Sequence, residues 1–315
     1  MQLRNTAESK PASRTRDPGV HSGANQAARK GAHASDRNSF RLPVTTLPQP
    51  DETTCGPTCL HAIYAYFGDD EPLPTVIERM WRLEHGGTYA VYLACDALRN
   101  GYRARLYTYN LTVFDPTWFT KPGVDVAARL VKQRDAKDER RGQHAVDGYL
   151  EFLARGGRLR FANLSDHLIR RILGCRLPIL TGLSSTYLYR SARECADGTA
   201  DDVRGHPVGH FVVIAGWDDR RRRVMVVDPY QPNPWGPSHE YWISVERVVA
   251  AILLGIVTHD ANLLVVYPRH PDPLTKGERE PSERERPRDP DPLPKGEREP
   301  SHREASEGRR RWSGR

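Results

Sequence analysis

The chain has 315 residues, 38% hydrophobic and 28% charged, with a mean hydropathy of −0.67 and a formal net charge of +7. No apolar run reaches the ~18–20 residues that span a bilayer, and the start MQLRNTAESK lacks the apolar stretch of a secretory signal, so no membrane association is implied. The charge sits at the ends, with eight Lys/Arg against three Asp/Glu in 1–41 and thirteen against eleven in 268–315, so a basic groove for specific nucleic-acid binding is not implied in the body.

Residues 1–41 are poor in apolar side chains and read as a disordered basic arm. Such a segment cannot bury enough apolar surface to offset chain entropy. Residues 42–268 are long enough for one well-cored domain. Within it, PQPDETTCGPTCLHAIYAYFG (48–68) passes from a loop into an apolar helical stripe at 59, 60, 63, 66 and 67. TVIERMWRL (75–83) carries a second helical stripe, and Thr88 is placed to cap a third helix that ends near Gly101. YRARLYTYNL (102–111) alternates as a strand. VDVAARLVKQ and AVDGYLEFLA are helices split by a charged stretch, and Ser165 caps SDHLIRRILG.

After Pro178 the period changes. LPILTGLS (177–184), HFVVIAGWD (210–218), RRVMVVDPY (222–230) and ANLLVVYP (261–268) are short and β-branched, with WDDRRRR (217–223) as a hairpin turn. VERVVAAILLGIV (245–257) reads as a buried helix, and 190–208 as a long polar loop of the kind that borders sites. The expected class is α+β, with helices in the first half and an antiparallel sheet in the second. Residues 269–315 are expected to be a disordered charged tail, in which DPLTKGEREPS (272–282) recurs as DPLPKGEREPS (291–301).

The five cysteines are odd in number and lack framework spacing, which suits a reducing, cytoplasmic compartment. Cys55 precedes Gly56-Pro57 at the mouth of a helix, where free N–H groups and the dipole favour a thiolate. Cys59, one turn further in, faces the buried stripe as a small apolar residue. One helical turn between them disfavours a disulfide, and C-x3-C without a second close pair is not a zinc site. No metal or cofactor is implied.

A thiolate needs a base and a group that orients the base. His210 opens one strand and Asp228 ends its hairpin partner, so antiparallel return sets them side by side. His206 is the alternative base; Asp218 and Asp219 read as turn residues, and Trp81, Trp217 and Trp242 as core. Gln49, six residues before Cys55, can join the Cys55 N–H around an oxyanion.

This pattern of a Gln, a Cys-Gly opening a helix, a Gly-His-Phe-Val-Val strand and a Val-Asp-Pro resembles the bacteriocin-processing cysteine peptidases, papain-like enzymes that cut leader peptides after a double glycine. The resemblance spans about residues 44–268. It implies a papain-like fold, a peptide or protein substrate, Cys55 as nucleophile, His210 as base, Asp228 as orienting group and Gln49 as oxyanion donor. Two departures stand out: no GxxxxGK[ST] phosphate loop or membrane span accompanies the domain, and 110–175 is longer and more charged than a minimal peptidase needs. A stand-alone relative with its own substrate is therefore expected. The same four residues also suit a papain-like acyltransferase of transglutaminase or phytochelatin type, or a silent peptide-binding cleft.

Overall fold

A computed structural model of the chain describes residues 39–83, 86–137, 140–258 and 260–268. The expectations for most of the N-terminal arm and for the repeated tail lie outside the described residues.

The architecture is α+β. An eight-stranded sheet runs β3-β2-β8-β4-β5-β6-β7, and β1 adds to β5. In chain order the strands are β1 (Ser39–Arg41), β2 (Arg103–Thr108), β3 (Arg158–Arg160), β4 (Ile179–Ser184), β5 (Gly209–Asp218), β6 (Arg223–Val227), β7 (Glu240–Ser244) and β8 (Asn262–Tyr267). All pairings are antiparallel except β2 with β3. The α-helices are α1 (Cys55–Tyr66), α2 (Leu73–Glu78), α3 (Ala90–Arg99), α4 (Val126–Ala136), α5 (Arg140–Ala154), α6 (Asp166–Gly174), α7 (Ser185–Tyr189) and α8 (Val245–Leu254). Among the described residues no helix is long and apolar enough to cross a membrane.

β4 and β8 are buried at every position, so the centre of the sheet is covered on both faces. That is why ILTGLS and NLLVVY read as unbroken apolar runs rather than as alternating strands. α1 lies against β5, and the contact is close. A Cβ at Gly56 would come within 3.1 Å of Phe211 Cδ2 and of Thr88 Cγ2, so only glycine lets the first turn of the helix sit this near the sheet.

The differences from the sequence reading have identifiable physical causes. The stripe at 75–83 is helical only to Glu78; Arg79 then turns its guanidinium onto Asp96 (Nε to Oδ1 2.7 Å), and Trp81 leaves the helix to stack on Tyr92 at 4.2 Å. Thr88 does not cap α3. The first N–H of that helix, at Ala90, instead donates to Asp260 Oδ2 at 2.6 Å, a carboxylate 170 residues away. Ser165 does cap α6, accepting from Leu168 N. The 219–222 turn is closed by Asp218 Oδ1, which accepts from Arg221 N, while Trp242 is 41% exposed rather than core. α8 buries only one stripe, leaving Leu253 and Leu254 outside. The sheet also draws on the first half of the chain, because β2 pairs β8 and β1 pairs β5.

Candidate active site

Cys55 is the first residue of α1. Thr54 offers the helix no side-chain cap, because its hydroxyl donates backwards to Asp51 O at 3.0 Å. The N–H groups of the first turn are left unpaired by side chains and turn their positive end toward the sulfur. Cys59 lies one turn further into the helix on the same face. It is fully buried, its Sγ 3.2 Å from Phe211 O, and burial pushes its thiol well above the ordinary value. Burial likewise pushes the Cys95 thiol up to about 12. All five cysteines are free.

His210 stands at the start of β5 and Asp228 just past the end of β6. The β5–β6 register pairs Val213 with Val227. Continued beyond β6, it sets His210 level with Tyr230, two residues from Asp228 and on the same face. His210 Nε2 meets Asp228 Oδ1 at 2.8 Å, and Cys55 lies near enough to the imidazole to act on its charge. Burial alone would lower the histidine pKa, but the neighbouring Asp228 and Cys55 charges outweigh it and hold it up at about 10. Burial would raise the Asp228 carboxyl, yet the His210 charge and its hydrogen bonds keep it below the usual carboxylate range. The Tyr189 and Tyr230 rings flank the imidazole, with centroids 6.1 and 6.0 Å away.

Gln49 is pinned to the same corner through its backbone, donating from N to Pro229 O at 3.0 Å. Its side-chain Nε2 donates to Asp51 O at 2.9 Å, and its Oε1 is buried without a partner. The amide is thus near the helix mouth but committed to the loop. His206 is exposed on the 190–208 loop, its backbone bridged to Glu194.

A pocket of about 250 Å³ opens beside Cys55 and His210, with Glu52, Thr88, Gly182 and Asp260 among its walls. Gly182 is required there, since a Cβ would meet Asp260 O at 2.9 Å and Phe211 Cε1 at 3.1 Å. Asp260 is buried and, lacking a cation, is pushed up to about 7 by burial, which outweighs its bonds from Ala90 N and Asn262. Among the described residues no three His, Cys, Asp or Glu side chains gather as metal ligands.

Sequence reasoning missed Tyr189, Tyr241 and Asp260. Tyr241 pairs with Val226 across β6 and β7, which sets it diagonal to Asp228. The alternation in EYWIS was the available signal for that strand.

No family model matches the chain, and no curated protein matches it. Solved structures do. It is similar to a double glycine motif protease from an AMS/PCAT transporter in complex with its leader peptide, at 14% identity over 74% of this chain and 96% of that one, TM-score 0.35. It is similar to a C39-like peptidase from Bacillus anthracis, at 14% identity over 74% and 99%, TM-score 0.39. It is also similar to xylellain, a cysteine protease from Xylella fastidiosa, at 15% identity over 73% and 86%, TM-score 0.34.

Proposed function

We propose that the chain is a cysteine peptidase acting on a peptide or protein substrate, with Cys55, His210 and Asp228 as its triad. The observation that carries the reading is the buried line of Cys55, His210 and Asp228 at the uncapped end of α1, opening into a pocket. Nε2 of His210 is taken by Asp228, which leaves Nδ1 to serve the sulfur.

In the proposed mechanism the Cys55 thiolate attacks the substrate carbonyl carbon, and the carbonyl π electrons move to oxygen. The Cys55 N–H and the Gln49 amide, once released from Asp51 O, receive that charge. Removing one such donor elsewhere costs ~3–4 kcal/mol. Collapse breaks the C–N bond as imidazolium Nδ1–H gives its proton to the leaving amine, and a thioester remains. Water then attacks the thioester while His210 takes its proton, and collapse breaks the C–S bond, releasing the acid and restoring the thiolate beside the imidazolium. Five free thiols fit a reducing, cytoplasmic setting.

Iodoacetamide at neutral pH should label Cys55 far faster than Cys59, Cys95, Cys175 or Cys195, and His210→Ala should remove the difference. Equal labelling of the cysteines in the native chain would contradict the reading.

A further inference from the structure

Asp228 has no exposed surface, so no water can solvate its charge from outside. A bare buried carboxylate would take up a proton instead of staying ionised. Four protein donors reach it. Oδ1 takes His210 Nε2 at 2.8 Å and the Tyr230 N–H at 3.0 Å. Oδ2 takes the Tyr189 hydroxyl at 2.7 Å and the Tyr241 hydroxyl at 2.8 Å. The two phenols arrive from separate elements, the last residue of α7 and the second residue of β7. Each donates its one O–H into the same oxygen. Burial, with the Asp228 charge beside them, pushes both phenols above their ordinary range, so they remain O–H donors at any working pH.

We propose that Tyr189 and Tyr241 are positioning residues of the reaction: their paired hydroxyls keep Asp228 ionised and fix the carboxylate that receives His210. The inference rests on the triad reading given above. Neither phenol is assigned a contact with substrate. Each acts through Asp228, and together they replace the water that burial removes from Oδ2. Without them Oδ2 would be a bare, desolvated oxygen. Asp228 would then take its proton at a higher pH, and His210 would lose its charged partner while the rest of the site was still intact.

Tyr189 also ties the triad to the segment that follows α7. Tyr189 stacks on Tyr230 at 6.0 Å and is followed by Arg190 in the left-handed region (φ 59°), the first residue of the 190–208 loop. The orientation of Asp228 is therefore set from α7 and β7 as well as from its own segment, through the Tyr230 N–H.

The test measures the pH dependence of Cys55 alkylation by iodoacetamide in the full chain, comparing the native protein with Tyr189→Phe, Tyr241→Phe and the double variant. Phenylalanine keeps the ring and removes only the O–H. The acid-side inflection of the rate is expected to rise by about one pH unit in each single variant and by about two in the double variant, since a hydrogen bond to a charged group is worth about one to two such units. A purely structural role would lower the melting temperature without moving the inflection. An unmoved inflection in folded variants overturns the inference and leaves the triad reading standing. Native Cys55 that reacts no faster than the other cysteines overturns the triad reading, and the inference with it. Should the double variant fail to fold, the single variants decide by the same criterion.

Discussion

At the scale of single residues, environment separates side chains of one type into different roles. Cys55 and Cys59 are four positions apart on one helix, yet one lies at the helix mouth against His210 and the other is sealed under Phe211. Cys59→Ala should cost about 1 kcal/mol in urea unfolding, for the sulfur it removes from the core, and should leave Cys55 alkylation unchanged. Asp228 and Asp260 divide in the same way. Asp228 has a cation among its four donors and is held low; Asp260 has no cation among the causes acting on it and is pushed up to about 7 by burial. Between pH 4 and 7 the folded chain keeps a proton on Asp260 that the unfolded chain releases. Stability from this group is thus greatest below about pH 4 and declines toward pH 7, by on the order of 4 kcal/mol over the full span. Asp260→Asn should flatten that part of the melting-temperature profile, as followed by circular dichroism. His210 has the same sign, since its pKa is also raised: the folded chain keeps a proton there to about pH 10, and because that imidazolium serves the leaving amine, kcat should fall as pH rises through this value.

At the scale of elements, the site depends on how closely α1 approaches β5. Cys55 was legible because Gly56-Pro57 at a loop-to-helix change is a local signal, and His210 with Asp228 because a two-strand hairpin fixes which residues return to one edge. Gly56→Ala tests the approach directly. Its methyl would press on Phe211, Thr88 and Leu93 at 3.1–3.3 Å. The helix mouth must shift, so peptide cleavage should drop by a factor on the order of ten, with a destabilisation of about 1–3 kcal/mol. What the sequence did not reveal shares a feature, which is dependence on distant partners. Asp260 caps α3 from 170 positions away, the helix at 75–83 is cut short by Asp96 and Tyr92, and Tyr189 and Tyr241 meet only at Asp228. No periodicity or spacing encodes a contact between elements that are far apart in the chain.

At the scale of the whole molecule, the class could be read from the change of period after Pro178, but the sheet order could not. β2, from the first half, sits between β3 and β8, and β1 edges β5. Ser39–Arg41 pairs with Asp218, Trp217 and Gly216, so we place the start of the folded domain at or before Ser39. A chain cut to 39–268 should match the full chain in melting temperature and in Cys55 labelling, whereas one beginning at Leu42 should melt lower for want of that strand. The most direct measurement of the central claim is peptide-library cleavage by the full chain beside its Cys55→Ala variant, read by mass spectrometry. Cleavage products from the native chain, with a transient acyl adduct on Cys55 and neither signal from Cys55→Ala, are the result expected. Equal cleavage by the two proteins, or none by either across the library, would contradict the assignment of Cys55 as a peptidase nucleophile.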